Sequence, residues 1–219
     1  MPDLQLGWRN ILAVPFFLLF FECIACRSAC TAELLIDRTA KTLFVQSTGT
    51  NQVHCRVGIG SGGLRAKKNM ADRITPSGEF VVDLILYQNP DYDNIDPRLL
   101  QRFSSATLLR SRQGLSVLFE KMNGLDFDHN GSSDTAYGIA YIGLEGLPNK
   151  EGLKPVTGPK LSKYNGTDYW FSIALHGTPN EVTNIGSAHS GGCVHVPARV
   201  LKQLIESKTV QIGTRVIIR

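Results

Sequence analysis

Short runs rich in Val, Ile, Leu and Phe fill the chain from Glu33 to Leu86, and polar turn clusters separate them. In Gln52–Gly58 the apolar positions Val53, Cys55 and Val57 alternate with polar ones, the period of a half-buried strand. Ser47-Thr48-Gly49-Thr50 and Gly60-Ser61-Gly62-Gly63 supply the turns that hairpins require. Beyond Leu86 the period changes. Asp96-Pro97 has the form of a helix start, with Leu99, Leu100, Phe103 and Leu109 as its apolar stripe and Gly114 ending or interrupting it. Gly146 to Gly166, rich in Gly, Pro and Lys, reads as a long mobile loop. The apolar run from Phe171 ends as a strand at His176. Val196-Pro197 opens a second helix that buries Val200, Leu201, Leu204 and Ile205, and Val210 to Ile218 returns as strand. The pattern predicts a mainly β domain over residues 33–219: mixed sheets arranged as a sandwich or barrel, a few helices, and an inserted cap over about 87–166.

Ahead of this domain, Ile11 to Ala25 is apolar except at Pro15 and Glu22, and Arg9 precedes it. That is the form of an export signal over residues 1–32. Cleavage after Ala32, lipidation at Cys26 within Cys23-Ile24-Ala25-Cys26, and retention as a membrane anchor are the three outcomes that the segment allows. All three place the domain outside the cytoplasm, in the periplasm or cell envelope. A zinc or redox reading of that Cys pair fails, because it lies in the apolar segment and no second pair faces it.

The 219 residues suit one domain with a sizeable core behind the leader. A hydrophobic share of 42% is ordinary, and 21 glycines with 10 prolines agree with many turns. The net charge of +4 comes entirely from the domain, since Asp3, Glu22, Arg9 and Arg27 cancel. Mild basicity suits an anionic polymer or a solvated surface alike. There is no basic stripe with interleaved aromatics, which argues against nucleic acid. Arg65, Lys67, Lys68 and Arg73 form a basic loop that reads as solvated charge, with a rim for a peptide carboxylate as the functional alternative. Gly58-x-Gly60-x-x-Gly63 is not a dinucleotide site, because no helical pattern follows it.

Three stretches carry candidate chemistry. Cys193 follows two glycines in Ser190-Gly191-Gly192-Cys193-Val194-His195, and His176-Gly177-Thr178 lies seventeen residues earlier. A thiol does acyl chemistry as a thiolate with a base in reach and N–H groups aimed at the oxyanion, and glycines let the backbone approach a substrate. The same spacing also fits a small buried cysteine and an unrelated loop histidine. Outside the leader, Cys55 is the other thiol, and its strand pattern makes it buried and inert. In Asp126-Phe127-Asp128-His129-Asn130-Gly131-Ser132-Ser133-Asp134, oxygen side chains at positions 1, 3, 5 and 9 with glycine at 6 imitate a calcium loop. Tyr137 stands where that loop needs a glutamate, so Asp126, Asp128, Asn130 and Asp134 read as an Asx-rich turn first and a calcium site second. Tyr169-Trp170 would line a substrate groove or pack in the core.

The His-Gly pair and the Ser-Gly-Gly-Cys-Val segment, in this order and spacing, resemble the motif of the L,D-transpeptidase (YkuD-domain) family. Ile74-Thr75-Pro76-Ser77-Gly78-Glu79-Phe80 is similar to that family's Thr-Pro-x-Gly-x-Phe segment. Leu34–Asp37 with Lys41–Val45 resembles its first hairpin, and Gly213–Ile218 its closing strand. Two positions depart from the pattern: Gly191 stands for a histidine two before the cysteine, and His195 for an arginine two after it. The second change replaces a permanent forked cation by a ring that is mostly neutral at pH 7.

The resemblance implies cross-linking of peptidoglycan stem peptides in the cell envelope, through an acyl-enzyme on Cys193 and without a metal or organic cofactor. His176 would be the base, the Gly177 carbonyl would orient it, and the Gly192 and Cys193 N–H groups would form the oxyanion hole. Ser190, His195, Tyr169 and Trp170 would contact substrate. If His195 faces the donor carboxylate, binding strengthens as pH falls. Hydrolysis of the same bond, or a wall-binding module without turnover, would use the same cleft.

Overall fold

The structure is a computed structural model describing residues 32–47, 50–67, 72–101, 106–146, 162–164, 167–169 and 173–219. Residues 1–31, Phe103, Lys68 and Trp170 lie outside the described residues. In chain order the strands β1 (Glu33–Asp37), β2 (Thr42–Ser47), β3 (Thr50–Arg56), β4 (Ile59–Gly60) and β5 (Gly78–Tyr87) come first. A 3-10 turn at Pro90–Tyr92, β6 (Asn94–Ile95) and the helices α1 (Pro97–Leu100), α2 (Ala106–Leu109) and α3 (Arg112–Asn123) follow. Then come β7 (Ala140–Gly146), β8 (Ser162–Tyr164), β9 (Thr167–Tyr169), β10 (Ala174–His176) and α4 (Glu181–Asn184). The chain closes with β11 (Ala188–Ser190), β12 (Val194–His195), α5 (Ala198–Glu206) and β13 (Arg215–Ile218).

The main sheet runs β12-β10-β7-β5-β13-β1-β2-β3, with β6 paired to β5. It is mixed: β1 pairs β13 and β10 pairs β12 in parallel, and the other neighbours are antiparallel. The sheet curls as a half-barrel, the mainly β fold with few helices that the pattern predicts. Two small pairs, β4 with β11 and β8 with β9, flank it.

β5 is buried along both faces, and one irregularity decides which residue faces which side. Its register with β7 shifts between Val82 and Leu84, at Asp83. Before that bulge Phe80 and Val82 point into the first core; after it Ile85 and Tyr87 do, while Leu84 and Leu86 join the second. An extra residue in one strand inverts the alternation, so β5 serves two cores. α5 covers the first core with Val200, Leu201, Leu204 and Ile205, the four residues of its apolar stripe. The second core lies beneath α1, α2 and α3 and takes in Tyr141 and Ala174 from the sheet.

The helical cap departs from expectation in its breaks. Asp96 does cap α1, accepting from Arg98 N–H at 2.8 Å, with Pro97 at its first position. The single apolar stripe is nevertheless divided into three short helices. Gly114 does not end a helix but lies in the first turn of α3, where a Cβ would fall 1.7 Å from the Leu108 carbonyl. Only a glycine lets α2 and α3 approach so closely. Within the stretch 87–166, β7 sits between β5 and β10 in the main sheet. Within the loop expected from Gly146 to Gly166, β8 and the start of a β8–β9 hairpin appear; residues 147–161 are outside the described set. The last strand begins at Arg215 rather than Val210, because Gly213 turns the chain with φ +89°.

One buried carboxyl in this framework predicts a pH effect. Asp93 is buried, its Oδ1 accepts from Tyr87 N–H at 2.7 Å, and its Oδ2 has no partner among the described residues. Burial pushes it up from 3.8 to about 6, against the opposing pull of the Tyr87 N–H and Arg112. The folded protein therefore holds this proton more tightly than the unfolded chain. That contribution to stability is complete below about pH 4 and lost as pH rises through about 6. Asp93→Asn, which keeps the acceptor without the charge, is expected to stabilise by about 1–2 kcal/mol at pH 7.5 and by little at pH 4. Thermal melts at the two pH values check this; an equal effect at both would contradict it.

Candidate active site

Strand periodicity assembles the site. On β12 and its flanks, Val194 and Val196 face the first core, which turns Cys193 and His195 to the opposite face. On β10, Leu175 faces the first core and Ala174 the second, so His176 shares the face of Ala174. The parallel register sets Leu175 beside Val194 and His176 beside His195, and therefore brings Cys193 alongside Ala174. Cysteine and histidine from distant motifs thus lie on one face of the sheet, against the cap-side core to which Tyr137 and Cys193 both contribute.

His176 is buried, with 5% of its surface exposed, inside a cage of rings. Tyr137 meets it edge-on at 5.0 Å, Tyr141 stacks at 6.3 Å, and His195 meets it edge-on at 4.9 Å. Its Nδ1 lies 2.6 Å from the Gly177 carbonyl oxygen. A carbonyl can only accept, so this bond fixes the proton on Nδ1 and leaves Nε2 as the basic lone pair. Burial, then the neighbouring His195, push the imidazole down to about 3, with the Gly177 carbonyl pulling the other way. Burial pushes the half-buried Cys193 thiol up, opposed by the Ala174 backbone N–H and by Lys67. Both groups therefore rest uncharged, in place of a standing thiolate–imidazolium pair. No hydrogen bond joins them among the described residues; such bonds often tighten only when substrate is present.

The turn before the cysteine is tied from within. Ser190 is buried; its hydroxyl donates to the Cys193 carbonyl at 2.5 Å and accepts from Gly192 N–H at 3.1 Å. The hydroxyl thus ties the turn from within, and the Gly192 N–H is bonded to it. Gly192 has φ +127°, a conformation that strains any residue with a Cβ. The Thr-Pro segment braces the turn from below: Thr75 Oγ1 accepts from Gly60 N–H at 2.8 Å, and Ser61 N–H reaches Ser190 at 3.0 Å.

His195 lies beside His176; the backbone holds it to Gly58 through two bonds of 2.8 and 2.9 Å, and its buried Nδ1 has no partner among the described residues. Burial, and next His189, lower it to about 4, so without substrate it stays neutral at physiological pH. Tyr169 belongs to β9 by its backbone. Cys55 is free and half-buried against the first core, its thiol pushed up to about 11 by burial despite Arg199. Oxygens of Asp126, Asp128 and Asp134 come within 4.8 Å of one another. Backbone N–H groups of Phe127, Asn130 and Gly131 already bond to these carboxylates, and the Asn130 side chain is engaged with Ser132 and Asp128, so the Asx-turn reading describes the loop.

Three neighbours of the site were not read from sequence as such. From sequence Tyr137 stands where a calcium loop needs a glutamate, Tyr141 is not singled out, and Lys67 reads as solvated charge with a carboxylate rim as the alternative. Lys67 is in fact buried, while Arg65 and Arg73 of the same loop are exposed.

The family model of the L,D-transpeptidase catalytic domain (YkuD) matches residues 31–218. The chain belongs to that family. Solved structures similar to it include an L,D-transpeptidase from Xylanimonas cellulosilytica, at 17% identity and TM-score 0.43, covering 88% of this chain and 62% of that one. An L,D-transpeptidase from Mycobacterium smegmatis shares 13% identity at TM-score 0.42, over 86% and 58% of the two chains. The helical cell shape determining protein Pgp2 from Campylobacter jejuni shares 15% identity at TM-score 0.44, over 86% and 47%. The chain thus spans about half to three-fifths of the length of these proteins. No curated protein sequence matches it.

This L,D-transpeptidase domain accommodates its two unusual positions differently. At Gly191 a Cβ would meet nothing within 4 Å among the described residues. At His195 the ring packs on His176, and its neutrality carries a stability consequence. A histidine held below its ordinary value favours folding when neutral, and the benefit is lost as pH falls from about 6.5 through 4. His195→Gln is expected to reduce the loss of melting temperature between pH 7 and pH 5, while His176, pushed to about 3, keeps the remainder. An unchanged slope would show that His195 is not held neutral.

Proposed function

We propose that the chain is a cysteine acyltransferase of the L,D-transpeptidase type, acting on peptidoglycan stem peptides outside the cytoplasm. The Cys193 sulfur attacks the carbonyl of the third-position diaminopimelate residue in a tetrapeptide stem as its proton passes to His176 Nε2. The tetrahedral intermediate collapses, the C–N bond to D-Ala breaks, and His176 returns the proton to the departing amine. A thioester on Cys193 remains. An amine from a second stem or an anchored protein attacks it, loses a proton to His176, and the thiol is regenerated. The Gly177 carbonyl keeps Nδ1 protonated and the ring aimed, in the place of a third triad member. With the Gly192 N–H engaged by Ser190, the Cys193 N–H is the backbone donor left for the oxyanion.

The observation that carries this reading is the shared face of β10 and β12, with His176 Nδ1 fixed on Gly177 and Nε2 free to act as base. The segment 1–32 supplies the export that such a substrate demands. Its residues 1–31 lie outside the described set, and among the described residues no helix is long and apolar enough to cross a membrane.

A disaccharide-tetrapeptide incubated with the full chain tests the reading by chromatography. Release of D-Ala with formation of a cross-linked dimer is the expected result. Release of D-Ala with tripeptide alone would reassign the step to hydrolysis. No release from folded protein would leave a binding module.

A further inference from the structure

The loop between β4 and β5 buries an ammonium directly beneath the nucleophile turn. The Lys67 side chain is 2% exposed, and its Nζ donates to Asp72 Oδ1 at 2.8 Å and to the Ile74 carbonyl at 2.9 Å. Asp72 is fixed in turn, its Oδ1 also accepting from Ile74 N–H at 3.0 Å. An ammonium has three N–H donors, and two of them are used by these partners. On its other side the ammonium abuts Gly192: a Cβ there would lie 3.3 Å from Nζ and 3.0 Å from the Ile74 carbonyl. Burying a Lys–Asp pair gains little stability over apolar residues of similar volume. Its position next to the residue preceding Cys193 calls for a chemical reason.

We propose that Lys67 is a positioning residue for the reaction: its ammonium, anchored by Asp72 and the Ile74 carbonyl, provides the fixed positive charge that stabilises the Cys193 thiolate. The inference rests on Cys193 being the nucleophile. The need is visible in the surroundings of the sulfur. Burial opposes ionisation of Cys193, and the groups that oppose burial are the Ala174 N–H and Lys67. Among the groups that act on the sulfur, Lys67 is the cation. His176 on β10 and His195 on β12 are held neutral, with His189 on β11 beyond His195 pushing the latter down. The Tyr137 phenol, before β7, is pushed above its ordinary value by burial and by Cys193 itself. Asp72 partly offsets the ammonium. Lys67 therefore compensates for a base that is too weakly basic to leave a standing imidazolium.

The test is the pH dependence of iodoacetamide alkylation of Cys193 in the full chain, followed by mass spectrometry of the peptide that contains it. Lys67→Met is expected to raise the midpoint by about one pH unit and to slow alkylation at pH 7 about tenfold; Lys67→Arg restores most of both. Asp72→Asn, which keeps an acceptor but removes the opposing charge, is expected to lower the midpoint. Opposite shifts separate electrostatics from support, since a merely structural pair would move both variants the same way. If Lys67→Met does not fold, Asp72→Asn and Lys67→Arg carry the test. A midpoint unmoved or raised by Asp72→Asn, or unmoved by a folded Lys67→Met, would overturn the proposal. Alkylation needs no stem peptide, so a wrong nucleophile shows separately, as absence of acylation at Cys193 while the alkylation profile still moves.

Discussion

Replacing Cys193 by alanine is expected to abolish D-Ala release, a loss of at least about a thousandfold, because among the described residues Cys193 is the nucleophile set beside His176. The fold should survive. Cys193 is a small, half-buried side chain at the margin of the cap-side core, and its removal costs roughly 1 kcal/mol. Cys55→Ala is the matching control, for that thiol is pushed up to about 11 and packs on the other core. Its loss should leave turnover intact. Release rates and thermal melts of the two variants decide the matter: full activity in Cys193→Ala, or loss confined to Cys55→Ala, would remove the nucleophile from this account.

The second large effect belongs to His176. With Nδ1 engaged by Gly177, this ring's only basic atom is Nε2, so His176→Ala should lower acylation at pH 7 by about a hundred- to ten-thousandfold. The deficit should shrink as pH approaches the range where the thiol ionises unaided, since the base is then no longer needed. That convergence distinguishes a proton carrier from a packing residue. Removing a buried ring from the cage of Tyr137, Tyr141 and His195 also destabilises the domain, so melts must accompany the rates. A deficit that stayed constant from pH 7 to pH 10 would argue for packing alone.

Much of this was legible in the sequence where one local pattern determines the outcome. The stripe on α5 and the alternation around Cys193 and His176 each follow from a single period, and the motif order identified the family. The unread parts depend on relations between segments. The bulge at Asp83 inverts β5 without any glycine or proline to announce it. α2 and α3 meet where Gly114 lies against the Leu108 carbonyl, a contact set by packing rather than propensity. Lys67 is buried by Asp72 and Ile74 just ahead of the Thr-Pro segment, although its neighbours Arg65 and Arg73 are solvated as expected. That the Ser190 hydroxyl turns back onto the Cys193 carbonyl was unread too, because sequence shows a hydroxyl near a cysteine but not its direction.

The central claim is that Cys193 forms an acyl-enzyme. A carbapenem tests it directly, because opening the strained β-lactam leaves the drug covalently bound to the attacking sulfur. Intact-mass measurement followed by peptide mapping should find one drug molecule on Cys193 and none on Cys55. Folded protein that acquires no adduct, or acquires it on another residue, would contradict the account.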